Sequence, residues 1–316
     1  MKYYVGVDIG SISTKGVIID ENNKLIVSDY IWTEGSPIDA TKKLINSLTQ
    51  KCNKEVSENI YGIGTTGSAR KLIGKILKAN TVKNEITAHA VGTLSYYPDT
   101  GTIIEIGGQD SKLIVIKNGV VVDYAMNTLC AAGTGAFLSS QAKRLGIEIE
   151  EIEKYYEISK SPVKIAARCT VFAESDMIHK AQIGNKKEDL IAGLCNAIVE
   201  NYMNNFIRGR KIEDRVVFQG GVSRNKGVVG AFEKKLRKKV TVSQDSHIMG
   251  AIGVAIISKK SENNENMNFK IQDIEYNIKE EECDGCSNHC EVMYIYENEE
   301  VIDTIGNKCE RVSKSI

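Results

Sequence analysis

The feature that most constrains the fold is a pattern of strand, glycine-containing turn and hairpin that occurs twice. The first copy carries DIGSISTK at residues 8–15, and the second carries EIGGQDSK at residues 105–112. Each has an acid, a glycine two residues later and a lysine seven residues later. Glycine lets backbone N–H groups approach phosphate oxygens, and the acid suits a magnesium ion or an ordered water. The repeat predicts an α/β protein whose two lobes face each other across a nucleotide cleft.

The residues after each loop predict a β-hairpin. After the second loop, residues 113–116 and 120–126 flank Asn118-Gly119, a dipeptide that favours tight two-residue turns. After the first loop, the turn is Asn22-Asn23. The repeat therefore extends beyond the glycines into the strands that follow.

A third motif, VVFQGGVSRN at residues 216–225, predicts a strand, a Gly-Gly turn and the start of a helix. Gly220 and Gly221 would let the backbone pack against a flat base or a sugar. Such a turn is common in α/β proteins, so its weight comes from its order after the two loops. The pattern GxxxxGK[ST] does not occur in the sequence, which argues against the P-loop class.

Composition favours a cytoplasmic enzyme. The 316 residues suffice for two domains, and 41 basic residues balance 41 acidic ones, which gives no electrostatic case for nucleic acid. The longest apolar run, residues 248–257, is too short to span a membrane. The first residues enter a predicted strand at once, without a signal-peptide pattern.

We expect four segments along the chain. A first lobe would combine residues 1–95 and 246–258, and a second lobe would comprise residues 96–245. The polar residues 259–268 read as a linker, and residues 269–316 as a cysteine-rich extension.

Two of the eight cysteines lie in turns for which nucleotide chemistry has no use. Cys130 opens the glycine-rich LCAAGTGAF, and Cys169 lies in the polar RCTVFAES, each ahead of a predicted helix. Their placement suggests a second cofactor that is coupled to the nucleotide. Cys52 and Cys195 read instead as small buried hydrophobes, Cys195 on a helix face with Leu190 and Leu194.

The order of these motifs, with TTGSAR at residues 65–70, resembles the BadF/BadG/BcrA/BcrD ATPase family. Within that family, the chain is most similar to the activators of 2-hydroxyacyl-CoA dehydratases, over about residues 3–258. The resemblance implies the actin/sugar-kinase/Hsp70 fold of two ribonuclease-H-like lobes. It also implies a homodimer that shares one [4Fe-4S] cluster, with two cysteines from each subunit. Cys130 and Cys169 match the cluster-ligand positions.

The same resemblance implies the reaction and its partners. ATP would drive a low-potential electron from the cluster into a 2-hydroxyacyl-CoA dehydratase or a related double-cubane or benzoyl-CoA-reductase-type protein. Ferredoxin or flavodoxin would supply the electron, in an anaerobic organism. Chemistry supports the cysteine positions, because a [4Fe-4S] cluster is bound by four thiolates and helix N-termini stabilise anionic clusters. A twofold axis would supply the two thiolates that one chain lacks.

The resemblance further implies an ATP/ADP and Mg²⁺ site built from three motifs. Gln109 or Asp110 is the candidate to orient the hydrolytic water, and the catalytic set also includes Asp8 and Glu105. The matching nucleotide positions are Asp8, Gly10, Ser11, Ser13 and Lys15 in the first phosphate loop, Gly107, Gly108, Gln109 and Asp110 in the second, and Gly220, Gly221 and Asn225 in the adenosine motif.

Two positions depart from the family pattern. Glu105 stands where the family has aspartate, so its carboxylate reaches one methylene further, which affects magnesium coordination and hydrolysis. TTGSAR differs from the commoner TGYGR, although Gly67 and Arg70 stand at comparable places.

The C-terminal extension predicts a metal site of its own. Cys283, Cys286 and Cys290 form C-x2-C-x3-C, His289 lies among them, and Cys309 follows after eighteen residues. Such a set suits a zinc knuckle or a second iron–sulfur cluster, and spacing alone does not choose between them. The alternative is a metal-free hairpin with reduced thiols.

Two other functions fit the nucleotide motifs. A small-molecule kinase of the same fold would need a carboxylate base, for which Asp110 would serve. The kinase hypothesis does not explain why Cys130 and Cys169 lie in these turns. A non-catalytic nucleotide sensor with a metal-stabilised tail is the third hypothesis.

Overall fold

The computed structural model describes residues 1–127, 131–261, 266–267, 276–297 and 299–306. The chain divides into two compact units, one made of residues 1–88 and 250–316 and the other of residues 89–249. In the described part of the chain, no helix is both long and apolar enough to cross a membrane.

Groups of strands and groups of helices follow one another along the chain. The strands are β1 (Tyr3–Ile9), β2 (Ser13–Asp20), β3 (Leu25–Trp32), β4 (Ile60–Gly67), β5 (Thr81–Val82), β6 (Thr102–Ile106), β7 (Ser111–Lys117), β8 (Val120–Asn127), β9 (Val216–Gln219), β10 (Val240–Val242), β11 (Tyr276–Glu282), β12 (Glu291–Glu297) and β13 (Glu300–Ile305). The helices are α1 (Pro37–Lys51), α2 (Lys54–Glu58), α3 (Arg70–Ile76), α4 (Glu85–Tyr96), α5 (Gly135–Arg144), α6 (Ile152–Ile158), α7 (Thr170–Gln182), α8 (Lys187–Tyr202), α9 (Lys226–Leu236) and α10 (Met249–Ser258).

Each unit is built on a five-stranded sheet with the same topology. The strand orders are β3-β2-β1-β4-β5 and β10-β9-β6-β7-β8. In both, an antiparallel meander is extended by two strands parallel to its first strand. Asn118 and Gly119 have φ of 51° and 76°, as the predicted tight turn between β7 and β8 requires. The predicted α/β fold with two repeated lobes is confirmed.

In the first unit, helix α10 lies very close to the sheet. A Cβ on Gly6 would stand 1.9 Å from the Ala251 carbonyl oxygen, and one on Gly64 would stand 2.5 Å from that of Val254. Glycine at these two strand positions therefore allows the close approach. The apolar sequence of α10 is explained by its burial against β1 and β4.

The core of the second unit surrounds helix α8. Leu190, Leu194 and Cys195 are buried there, which confirms the helix face predicted from the sequence. The rings of Phe218 and Tyr202 each pack edge-on against Phe232, at centroid distances of 5.1 and 5.3 Å. Edge-to-face packing of this kind adds to the stabilisation from burial.

The C-terminal extension forms a three-stranded antiparallel sheet in the order β11-β12-β13. This contains the hairpin predicted from residues 291–306. Val292 and Ile295 are fully buried, and Ile295 belongs to the hydrophobic core of the first unit. Half of the predicted linker, residues 262–265 and 268, lies outside the described residues.

Candidate functional site

The first predicted phosphate loop joins β1 to β2. The Gly10 N–H donates to the Ser13 carbonyl oxygen at 3.0 Å, which closes a tight turn. Asp8 and Lys15 face each other across the two strands, with 3.5 Å between Oδ2 and Nζ. Ser13 is buried, whereas Ser11 is exposed at the tip of the turn. The loop thus presents Ser11 to solvent above a carboxylate–lysine pair.

The second predicted phosphate loop has the same turn, built around a buried lysine. The Gly107 N–H donates to the Asp110 carbonyl oxygen at 3.0 Å. Lys112 Nζ lies 2.9 Å from Glu105 Oε2 and 2.6 Å from Asp110 Oδ2. The side chains of Lys112 and Glu105 are 2% and 5% exposed, but that of Asp110 is 29% exposed. Asp110 is therefore the carboxylate that a magnesium ion or a water can reach, and Gln109 beside it is exposed.

Glu105 reaches Gly220 of the third glycine motif, because its side chain is longer than that of aspartate. A Cβ on Gly220 would stand 2.7 Å from Glu105 Oε1 and 2.3 Å from the Ile106 carbonyl oxygen. A Cβ on Gly107 would stand 3.3 Å from the same Glu105 oxygen. The structure therefore brings Glu105, Gly107 and Gly220 together within the second unit. Gly220 also has φ of +86°, which favours glycine.

The other two residues of the third motif play different parts. A Cβ on Gly221 would meet no atom within 4 Å, so its backbone borders open space. Asn225 is the N-cap of α9, and its Oδ1 accepts from the Val228 N–H at 3.2 Å. Gly221 thus has free space beside its backbone, while Asn225 stabilises the start of the helix.

A hydrogen-bonded chain that the sequence did not reveal supports this motif from α4. Thr93 Oγ1 donates to Gln219 Oε1 at 2.9 Å, and Gln219 Nε2 lies 3.0 Å from His89 Nδ1. Gln219 is fully buried and directly precedes Gly220, whose N–H donates to the Ser246 carbonyl oxygen at 2.9 Å. The sequence signal that could have revealed this chain of hydrogen bonds is Gln219, a polar residue at the end of an otherwise apolar strand.

Of the two candidate cluster cysteines, the structure describes Cys169 alone. Cys130 lies outside the described residues. Cys169 is exposed and is the N-cap residue of α7. The first N–H groups of a helix have no intrahelical acceptor, and the helix dipole favours negative charge there. An exposed thiol in this position fits an anionic iron–sulfur cluster.

The second phosphate loop is hydrogen-bonded to the helix that follows the Cys130 motif. The Gly135 N–H donates to the Gly107 carbonyl oxygen, and the Ala136 N–H donates to that of Gly108, both at 2.9 Å. A 3₁₀ turn, Ala131–Gly133, precedes the helix. The turn at Gly107 and Gly108 and the start of α5 are thus parts of one hydrogen-bonded structure.

Asn201 of α8, which the sequence analysis missed, lies against the segments of both cysteines. Its Nδ2 donates to the Arg168 carbonyl oxygen at 3.0 Å and to that of Ala167 at 3.4 Å. A Cβ on Gly133 would stand 2.8 Å from Asn201 Oδ1. No sequence signal marks this residue, because a polar side chain on an amphipathic helix usually faces solvent.

The cysteines expected to be structural behave as small apolar residues. Cys195 is completely buried, and burial raises the pKa of its thiol to about 12. Cys52 is partly buried, which also raises its thiol pKa. Burial disfavours the thiolate, which is the form that binds metals.

The turn between β11 and β12 carries three of the tail cysteines. The Cys283 N–H donates to the Cys290 carbonyl oxygen at 2.8 Å, and the Gly285 N–H donates to Cys283 Sγ at 3.4 Å. His289 Nδ1 lies 3.1 Å from Glu282 Oε1. Within the described residues, no group of three or more His, Cys, Asp or Glu side chains is arranged to hold a metal ion. Cys309 lies outside the described residues.

The family model of the BadF/BadG/BcrA/BcrD ATPase family matches residues 5–258 of this chain. The C-terminal extension lies beyond the match.

Three curated relatives illustrate the similarity. The 2-hydroxyisocaproyl-CoA dehydratase activator of Clostridioides difficile is 32% identical over 255 residues, which is 80% of this chain and 94% of that protein. The (R)-2-hydroxyglutaryl-CoA dehydratase activating ATPase of Acidaminococcus fermentans is 32% identical over 258 residues, 82% of this chain and 97% of that protein. A benzoyl-CoA reductase polypeptide of Thauera aromatica is 25% identical over 268 residues, 81% of this chain and 93% of that protein.

Solved structures agree with the fold. Component A of the Acidaminococcus fermentans (R)-2-hydroxyglutaryl-CoA dehydratase superposes with a TM-score of 0.77 at 30% identity, over 82% of this chain and 98% of that chain. The Clostridium difficile 2-hydroxyisocaproyl-CoA dehydratase activator with bound ADPNP gives 0.75 at 32% identity, over 81% and 94%. A ROK family glucokinase from Streptomyces griseus gives 0.50 at 13% identity, over 82% and 99%, which supports the sugar-kinase-like fold alone.

Proposed function

Because the chain belongs to the BadF/BadG/BcrA/BcrD ATPase family, we propose that its ATP hydrolysis drives electron transfer to an enzyme of the 2-hydroxyacyl-CoA dehydratase kind. Hydrolysis of ATP to ADP and phosphate would accompany the passage of one low-potential electron to the partner. The observation that carries the proposal is the exposed Cys169 at the N-terminus of α7, in the unit that also holds the second phosphate loop.

The phosphates would bind to the glycine-containing turns. In the first unit, Gly10, Ser11, Ser13 and Lys15 would contact them, and in the second Gly107 and Gly108 would do so. A relative at 32% identity has been solved with bound ADPNP, which supports nucleotide binding by this fold. The backbone of Gly221 borders open space and would pack against the adenosine.

Magnesium would be held near the two acidic turns. Asp110 is the accessible carboxylate of the second loop, and Asp8 lies in the first. Hard oxygen ligands of this kind suit Mg²⁺, which keeps several of its waters. Glu105 is buried against Lys112, so we assign it to holding the loop, and we assign the orientation of the attacking water to Gln109 or Asp110.

Cys130 and Cys169 from each of two copies would ligate one [4Fe-4S] cluster. Bound there, the cluster would supply a one-electron carrier at low potential. The N-terminus of α7 would stabilise its negative charge, and exposure of Cys169 would leave it accessible to a partner. The number of ligands supports a homodimer, because one chain would contribute two of the four thiolates.

The partners follow from the same relatives. Two are activators of 2-hydroxyacyl-CoA dehydratases, and one is part of a benzoyl-CoA reductase. The electron acceptor would therefore be an iron–sulfur protein of that kind. Ferredoxin or flavodoxin would be the donor, in the cytoplasm of an anaerobe.

Iron analysis tests the function. The chain would be purified without oxygen after the tail cysteines at positions 283, 286, 290 and 309 have been changed to serine, so that any iron belongs to the core. One cubane shared by two copies gives about two iron atoms per subunit. Cys169→Ser should lose this iron while binding ADP normally, and the control Cys52→Ser should retain it. An iron-free core that transfers phosphate to sugars would replace the proposal by the kinase alternative.

We also propose that Cys283, Cys286 and Cys290, with Cys309 as the fourth ligand, bind a soft metal such as zinc or iron. The backbone bond between Cys283 and Cys290 and the N–H to Sγ bond at Cys283 support this, because backbone N–H groups stabilise a thiolate ligand. Metal binding would draw the thiols together. Metal content of the full chain should fall in Cys283→Ser and Cys290→Ser but stay unchanged in Cys52→Ser.

A further inference from the structure

We propose that Asn201 is a positioning residue that fastens the segments of both cluster cysteines to one point and couples them to the second phosphate loop. The inference depends on the proposed function only for the identity of the group that the cysteines hold. Its evidence is a series of contacts within the second unit.

The first contact fixes the approach to Cys169. Asn201 Nδ2 donates to the carbonyl oxygens of Arg168 and Ala167, the two residues directly before that cysteine. Asn201 is buried, and hydrogen bonds are stronger where water is excluded. The amide therefore sets the orientation of the peptide groups from which the N-terminus of α7 begins.

The second contact is with the turn that follows Cys130. Gly133 lies so close to Asn201 that a Cβ at this position would stand 2.8 Å from Asn201 Oδ1. Asn205 Nδ2 donates to the same oxygen at 2.9 Å. This bond orients the amide, with its oxygen toward Asn205 and Gly133 and its nitrogen toward the Cys169 segment.

The third contact leads to the nucleotide loop. Two residues after Gly133, the N–H groups of Gly135 and Ala136 donate to the carbonyl oxygens of Gly107 and Gly108. A phosphate bound by the Gly107 turn would act on these same peptide groups. A shift of the loop would thus move the start of α5, and Asn201 would transmit it to the backbone before Cys169.

Substitution of the amide separates this role from a general effect on folding. Asn201→Asp keeps the shape but replaces the two N–H donors by a carboxylate oxygen that faces two carbonyl oxygens. Gly133→Ala disturbs the same contact from the other side and leaves the Asn201 side chain intact. The matched control is Asn185→Asp, because Asn185 Nδ2 also donates to a backbone carbonyl, that of Lys180 at 2.8 Å, beyond the far end of α7.

The measurement is the rate at which iodoacetamide modifies Cys169 in iron-free protein, followed on its peptide by mass spectrometry. The rate would be compared without nucleotide, with ADP and with ADPNP. In the unaltered chain, nucleotide should change the rate by about fivefold or more, the usual range for coupled sites. In Asn201→Asp and Gly133→Ala, the change should disappear while ADP affinity stays within about threefold, and Asn185→Asp should behave like the unaltered chain.

The outcomes separate this inference from the proposed function. A nucleotide effect that persists in both variants, or that is absent from the unaltered chain, would overturn the role of Asn201 even if the core binds iron. A nucleotide effect that needs Asn201, in a core that never binds iron, would support the coupling and remove the electron-transfer proposal. Circular dichroism shows whether each variant is folded. If Asn201→Asp does not fold, the comparison is made with Gly133→Ala.

Discussion

Lys112 and Glu105 face each other across β6 and β7, with the ammonium 2.9 Å from the carboxylate. Lys15 and Asp8 hold the same two positions in the first unit, across β1 and β2, at 3.5 Å. The repeat thus preserves a charge pair as well as a loop. In the second unit the pair is almost completely buried, and Tyr202 of α8 covers it by donating to the Lys112 carbonyl oxygen at 2.7 Å.

Removing the buried lysine should destabilise the protein strongly. Lys112→Met leaves Glu105 without its ammonium partner in a dry site, which costs about 3–5 kcal/mol in unfolding free energy. Urea denaturation measures this. Lys117→Met, on the same strand but with an exposed side chain, is the control and should stay within about 0.5 kcal/mol of the unaltered chain. A Lys112→Met protein as stable as its control would mean that the buried pair contributes nothing.

Neighbouring glycines should respond differently to alanine. Gly220→Ala meets the Ile106 carbonyl oxygen and forces a positive φ on a residue with a side chain, so we expect a loss of about 1–3 kcal/mol and weaker ADP binding. Gly221→Ala has open space around it and should leave the unfolding free energy within about 0.5 kcal/mol. Thermal unfolding of both proteins tests this contrast in stability, and calorimetry measures the loss of ADP binding in Gly220→Ala. Equal stability of the two variants would contradict the geometry.

Thiol chemistry should distinguish Cys195 from Cys169. Burial disfavours the charged form, so the Cys195 pKa rises to about 12 and the thiolate fraction at pH 9 is about one in a thousand. Because thiolate is the reactive form, iodoacetamide should modify exposed Cys169 in native iron-free protein and leave Cys195 intact until urea unfolds the chain. Peptide mass spectrometry reads out both sites. Modification of Cys195 at the rate of Cys169 would show that α8 is not packed as described.

The tail should contribute to the stability of the first unit. Ile295→Ala removes a fully buried side chain from its core and should cost about 2–5 kcal/mol. Ile278→Ala, at the β11 position that pairs with Ile295 but with a more exposed side chain, is the control and should cost less than about 1 kcal/mol. Chemical denaturation of the two variants gives the comparison, and similar small losses would place the tail outside the cooperative unit.

The sequence predicted those parts of the molecule that depend on local pattern. The two loops, their hairpins and the buried face of α8 were visible, because each combines a short motif with a strand or helix period. The burial of Lys112 was not, since a lysine in a polar turn usually lies in solvent. It follows from Glu105 on the neighbouring strand and from Tyr202, which lies 90 residues away along the chain.

Asn201 and Gln219 escaped prediction for the same reason. Each is one polar residue in an element whose other positions fit an apolar core, and its purpose lies in a segment far away in sequence. Asn201 holds the backbone 33 residues before it, and Gln219 joins a helix 126 residues earlier. Motifs record local geometry, whereas these residues fasten one motif to another.

The close packing of α10 on β1 and β4 also sets the order in which the molecule can be assembled. The first 88 residues leave the ribosome early, yet one face of their sheet is completed by a helix that begins at Met249. The second unit is continuous and can finish folding while the first still waits. During synthesis, the N-terminal sheet must therefore remain incomplete until residues 249–258 have emerged, a period in which its glycine-lined face is open to chaperones or to misassembly.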